Sequence, residues 1–255
     1  MIENIGVGSK IHESVEFLGD MSVKIGDHVE IGENVRFFGD GDLFIGDYSK
    51  IFRNCLFLVR DNMTWGEITW IAERCTIDST GVLYAGNFVG VGVGSSLYSH
   101  IQHGDVTEGC QYDSRSPLII GDDVWFVGQC LVSPGIMGEK SMAMLGSVIT
   151  GNMHPNHVYG GVPAKDLTDK IGAPWKENSL DFKIARVTSL VSQGVEQMHL
   201  DREQFCVVEK LPHTPEAGVT YYSLSDRSYT KTNSPSEVRL NKWLFSSKAK
   251  FKAYE

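Results

Sequence analysis

His100 and His103 stand at the entrance to a stretch that is both polar and aperiodic, residues 102–117, rich in His, Gly, Asp, Glu, Ser and Tyr. Imidazole titrates near neutrality. A histidine in such a place can take a proton from a hydroxyl or amine and hand it to a leaving group. The chain has eight histidines, and residue type alone does not choose among them. His12 and His28 fall inside a repeat and read as turn residues. His154 and His157 flank Pro155 and read as exposed. The five cysteines, at 55, 75, 110, 130 and 206, show neither metal-ligand spacing nor a disulfide framework, which fits a reduced cytoplasmic setting.

The elements that must position these groups are written in a repeat of twenty. Ile5-Gly6, Ile25-Gly26 and Ile45-Gly46 stand at fixed spacing. Within each block an apolar residue returns every sixth position: Ile5, Ile11, Phe17; Ile25, Ile31, Phe37; Ile45, Ile51, Phe57. Neither a helix of period 3.6 nor a strand alternating in twos gives this pattern. A triangular coil does. Each hexad is a short strand plus a turn, one apolar residue per hexad points to the axis, and stacked coils bury a continuous column. Ile71, Ile77, Leu83 and Val89 keep the six-residue phase, and it resumes at Ile120-Gly121, Phe126 and Val132. The count predicts roughly seven to eight coils. An aperiodic insertion between two coils is a functional loop or a disordered one.

The last coils carry a distinctive text: Ile120-Gly-Asp-Asp-Val-Trp-Phe-Val-Gly-Gln-Cys-Leu-Val-Ser-Pro-Gly135, then Leu145-Gly-Ser-Val-Ile-Thr150 and Gly161-Val-Pro-Ala-Lys165. Here the chain resembles the hexapeptide-repeat acyltransferases, in the branch with galactoside, maltose, serine and xenobiotic acetyltransferases. The resemblance covers residues 65–170 by motif and 5–60 by repeat. It implies an all-β solenoid, the left-handed parallel β-helix. The handedness rests on the resemblance, because it opposes the usual right-handed crossover.

The resemblance also implies a site. The family's histidine before the loop falls on His100, as general base, with His103 as runner-up. Acetyl-CoA is the acyl donor, and transfer is direct, with no covalent enzyme intermediate. Gly128 and Gln129 match the positions where the pantetheine arm lies against backbone. Gly146, Ser147 and Thr150 match the Gly-Ser-x-x-Thr stretch along the same groove, and Trp125 is either a wall of that groove or a core aromatic. Lys165 matches the basic residue that approaches the CoA phosphates as a point charge. Two departures stand out. Gly151 and Asn152 replace the Lys or Arg common after Thr150, and the turn after Pro134-Gly135 is about one residue short. A homotrimer with active sites between subunits is implied, with residues 102–117 reaching across.

The domain expectation is a β-helix over residues 1–175, with its loop insertion at 102–117, and a small α+β appendage over 176–255. In the appendage Leu180, Ile184, Val187 and Val191 recur at helical spacing. Phe205-Cys-Val-Val208 and Val219-Thr-Tyr-Tyr222 read as strands. Ser234-Pro-Ser-Glu237 reads as a capping box before Leu240, Trp243 and Leu244. The charge is uneven: residues 1–175 hold 11 Lys and Arg against 22 Asp and Glu. Such an acidic unit argues against nucleic acid as a partner. Residues 239–252 carry five basic side chains and no acid, which read either as a solvated basic end or as an anion contact that offsets the cation absent after Thr150. No apolar run reaches the ~18–20 residues of a membrane span.

The function expected is acetyl-CoA-dependent O-acetylation of a saccharide hydroxyl, with a place in polysaccharide biosynthesis. N-acetylation of an amino sugar is the alternative, and no metal is expected. A γ-type carbonic anhydrase shares the β-helix but needs three histidines on zinc, which His100-x-x-His103 matches poorly. A non-enzymatic β-helix scaffold would leave the contexts of His100 and Lys165 without a reason.

Overall fold

Ile25, Ile45, Trp65 and Ala85 stand side by side in one parallel ladder. The ladder continues through Ile120 and Met137. A second runs Ile11, Ile31, Ile51, Ile71, Val91, Phe126, Ala143. A third runs Phe17, Phe37, Phe57, Ile77, Leu97, Val132, Ile149. These ladders belong to three sheets of seven, nine and seven strands, and the chain visits the three in turn. The computed structural model describes residues 2–254. Residues 2–175 form one unit, the three-faced parallel β-helix, and 176–254 form a second.

Packing explains the six-residue beat. From Ile25 onward the three inward columns are buried, and the phenyl rings of Phe17, Phe37 and Phe57 stack at 4.9 and 4.7 Å between centroids. The first coil, which has a neighbour on one side only, leaves Ile5 44% exposed.

The turns explain the Ile-Gly-Asp text. A Cβ placed on Gly46 would lie 2.6 Å from the carbonyl carbon of Gly66, so the corner backbones stack too closely for a side chain. The next residue reaches back one coil. Oδ1 of Asp27, Asp47, Asn87 and Asp122 accepts the N–H of Val7, Asp27, Glu67 and Asn87 respectively, at 2.7–2.9 Å. One residue further on, Tyr48, Ile68 and Phe88 adopt left-handed φ values of 55°, 55° and 65°. That conformation is costly for such side chains, and burial of all three offsets it.

Two expectations change. The coil does not break after Val89; it runs on through Val91 and Leu97. Leu83 and Val89 are buried, but the stations in register with Trp65 and Ile71 are Ala85 and Val91. Counting sixes from Ile77 omits the two extra residues in each coil. The insertion is also not structureless. It opens and closes as an antiparallel ribbon in which strand His100–Gln102 pairs with Asp113–Arg115. Coil stacking ends where strand Val158–Gly161 turns back through a cis Val162-Pro163 bond into an antiparallel partner, Ala164–Asp166.

In the second unit, helix Leu180–Met198 is capped by the Ser179 hydroxyl, which accepts the Phe182 N–H, and it buries Val187, Leu190, Val191 and Val195. A four-stranded sheet orders Phe205–Val208, Thr220–Ser223, Ser228–Tyr229 and Lys252–Ala253. Helix Pro235–Ser246 starts at Ser234, whose hydroxyl accepts the Glu237 N–H at 3.1 Å. The Glu237 carboxylate returns to the N–H groups of Thr232 and Asn233, just upstream of the Ser234 cap. Arg239 from the basic run donates to the Met198 carbonyl at 3.0 Å and so ties the two helices together.

Candidate active site

His100 leaves the coil stack at the corner after strand Ser96–Leu97. One coil below, Asp78 ends the strand Thr76–Asp78. Its Oδ1 lies 2.8 Å from His100 Nδ1. The Asp78 side chain is only 2% exposed, and that of His100 is 27% exposed. A buried carboxylate needs partners, and Asp78 has them. Oδ1 accepts the Thr80 N–H at 3.0 Å and Oδ2 accepts the Thr80 hydroxyl at 3.1 Å. The fully buried Ser99 hydroxyl bonds the Asp78 carbonyl at 2.9 Å and receives the Gly81 N–H at 2.9 Å. A proton on Nδ1, shared with Asp78, leaves the lone pair on Nε2, which bonds no described residue. An imidazole oriented in this way can accept a proton at Nε2.

The ribbon's exit demands space beneath it. A Cβ on Gly81 would meet the Ser99 carbonyl oxygen at 2.1 Å and the Ser116 N at 2.9 Å. The Tyr98 ring stands edge-on to His100 with centroids 6.4 Å apart. On the other face of the ribbon Ile101 and Ser114 line a groove with Pro117, Ser133, Pro134 and Thr150.

The remaining corners hold the other candidate residues. Trp125 is on an outward position of the nine-stranded face, 44% exposed. A Cβ on Gly90, its register partner, would come 3.1 Å from the indole Cδ1. Gly128 and Gly146 meet at the next corner, where the Gly146 N–H donates to the Gly128 carbonyl at 2.9 Å. Gln129 is exposed with φ 49°, and nothing lies within 4 Å of a Cβ on Gly146.

No family model matches the chain. Galactoside O-acetyltransferase of Escherichia coli (strain K12) is 33% identical over 54 residues, 21% of this chain and 27% of that enzyme. The chain thus matches about a quarter of the length of its curated relatives. Among solved structures, the polySia specific acetyltransferase NeuO is similar, with a TM-score of 0.51 and 16% identity, covering 76% of this chain and 97% of that one. A point mutant of AntD, an N-acyltransferase from Bacillus cereus in complex with dTDP and Coenzyme A, aligns at a TM-score of 0.45 and 17% identity, over 74% and 90%.

The fold is the left-handed parallel β-helix of the hexapeptide-repeat acyltransferases.

In that β-helix the sequence-expected residues do not converge within one chain. His100 and Thr150 share a corner but sit on opposite faces of the ribbon. Gly128, Gln129 and Gly146 share another corner, and Trp125 stands on a face. Trp125 is not a core aromatic. Ser147 is fully buried and its hydroxyl donates to the Met144 carbonyl at 2.6 Å, so it closes the turn from inside. Lys165 is exposed on the terminal hairpin, opposite Gly160. Near it His157 Nδ1 lies 2.5 Å from Asp166 Oδ2, a second His–Asp pair. The Thr168 hydroxyl and N–H, with His157, hold the Asp166 carboxyl well below the usual carboxylate range. His103 is exposed in the ribbon's loop and shows no partner comparable to Asp78. Among the described residues no cluster of His, Cys, Asp or Glu is placed to hold a metal ion. No helix is long and apolar enough to cross a membrane.

Asp78 is the residue that sequence reasoning missed. The signal was present: a coil is twenty residues long at this point, so the corner beneath His100 had to lie near Asp78-Ser-Thr80.

Proposed function

We propose that this protein is an acetyl-CoA-dependent O-acetyltransferase acting on a saccharide hydroxyl, with His100 as general base. The observation that carries the reading is the buried Asp78 carboxylate on His100 Nδ1. His100 Nε2 removes the proton as the acceptor oxygen attacks the thioester carbonyl. The new C–O bond gives a tetrahedral oxyanion, the C–S bond then breaks, and the imidazolium returns its proton to the departing thiolate. Asp78 holds the ring and stabilises the imidazolium between the two transfers. Acetyl-CoA is held by backbone at Gly128, Gln129 and Gly146, with Trp125 and Thr150 as walls and Lys165 on the phosphates. Ser147 supports the corner rather than the ligand.

A homotrimer with sites between subunits accounts for the scatter of these residues over separate corners and faces. It also accounts for exposed apolar groups on the ribbon, Ile101, Val106 and Tyr112. Buried free thiols at Cys55, Cys75 and Cys130 fit a cytoplasmic protein.

The test is thiol release from acetyl-CoA over a sugar panel, with mass spectrometry separating ester from amide products. His100→Ala should lower kcat about 10²–10⁴-fold while acetyl-CoA still binds. A variant with wild-type kcat, or loss in His103→Ala instead, overturns the assignment of the base. Light scattering of the active species tests the trimer.

A further inference from the structure

His100 and Arg115 are directly opposed in the antiparallel ribbon. Opposed residues leave the same face, with Cβ atoms about 5 Å apart. Gln102 lies two residues beyond His100 and so shares that face. Arg115 Nε donates to Gln102 Oε1 at 3.2 Å. This tether orients the planar guanidinium and uses one of its N–H donors. Among the described side chains Arg115 makes no ion pair and has no partner beyond Gln102.

We propose that Arg115 binds a carboxylate on the acceptor saccharide, beside the hydroxyl that His100 deprotonates, so that the acceptor is an acidic sugar. The proposal rests on the transfer reading above and narrows its substrate. A guanidinium fork pairs with a carboxylate through two parallel N–H···O bonds, which fixes orientation as well as affinity. The anion it meets belongs to the acceptor rather than the donor. In acyl-CoA the phosphates lie at the far end of the pantetheine arm, whereas the thioester must come within bonding reach of the oxygen next to His100. Charge supplies a second argument. Residues 1–175 hold twice as many acids as bases, so the surrounding field repels an acidic sugar. A single cation placed at the base is what makes such an acceptor bindable there.

The experiment uses oligomers of a uronic acid and of sialic acid, each as free carboxylate and as methyl ester. Thiol release and, separately, calorimetric binding are measured for wild type, Arg115→Gln and Arg115→Lys. Wild type should favour at least one carboxylate over its ester by about tenfold or more in kcat/KM. Arg115→Gln should collapse that ratio towards one by raising acceptor KM, and Arg115→Lys should restore part of it. Equal use of carboxylate and ester by an active wild type overturns the proposal and leaves the transferase reading intact. A rise in acetyl-CoA KM in place of acceptor KM also overturns it, and assigns Arg115 to a donor phosphate. Absence of thiol release, with Arg115-dependent binding of the carboxylates, overturns the transferase reading and retains the acidic-sugar site.

Discussion

Asp78 stands one coil beneath His100 and meets it only because the chain turns outward at Ser99. The carboxylate sits at the end of one strand and the imidazole at the start of the ribbon, 22 residues later. Asp78→Asn preserves shape but removes the charge that, in the proposed mechanism, stabilises the imidazolium. Turnover should fall by an order of magnitude or more with little change in acetyl-CoA affinity. Asp78→Ala should in addition cost stability of about 1–3 kcal/mol, since the Thr80 N–H loses its partner. Thiol release and thermal melts separate the two effects.

Lys165→Ala should raise KM for acetyl-CoA a few-fold, with a smaller change in kcat. A contact to the donor phosphates is made in ground and transition states alike. Lys165 is exposed, so added salt should erode the wild-type advantage. A KM that is equal for both proteins at low salt would remove Lys165 from the donor site.

Glycines at the corners differ in kind. At Gly46 a Cβ would strike the Gly66 backbone at 2.6 Å, whereas at Gly146, with φ 71°, nothing lies within 4 Å. Gly46→Ala should therefore melt markedly lower than Gly146→Ala. The latter carries only the left-handed backbone penalty of about 1–2 kcal/mol. Denaturant titration of both variants, with wild type, tests the order.

Asp166 contributes stability through an ionised carboxylate whose pKa is lowered in the folded protein, first by Thr168 and then by His157. A depressed carboxylate stabilises above its unfolded pKa and loses that contribution as pH falls through the folded value. Asp166→Asn should thus melt lower than wild type at neutral pH. The gap should persist down to the ordinary carboxylate value of 3.8 and close below it. A gap that widens with acid would contradict this.

The coil stack was legible because one apolar residue per hexad is a direct image of one inward station per strand. The period is obscured at Trp65 and Ala85, where a large and a small residue share neighbouring stations in one ladder. Residue size there varies from station to station, so residue type stopped marking the period. Gly66 and Gly86 still marked it. His100 is marked as a candidate by its place before the insertion, but its partner Asp78 required knowing which coil lies beneath. The facing of His100 and Arg115 was hidden, because a ribbon's register is set by its own turn and not by the hexads. The inward turn of the Ser147 hydroxyl was hidden because a motif names a residue without saying which way its side chain points.

The ribbon interrupts the chain without interrupting the ladder. The Asn87-to-Glu67 corner contact spans 20 positions, and the corresponding Asp122-to-Asn87 contact spans 35. Both keep the same geometry, and the Tyr98 N–H still reaches the Val132 carbonyl at 2.9 Å across the point of exit. The ladders on either side therefore do not count the ribbon's length, while its exit still depends on the close packing of Gly81 beneath Ser99 and Ser116. A ribbon of another length could leave from the same corner with every station of the stack still in register.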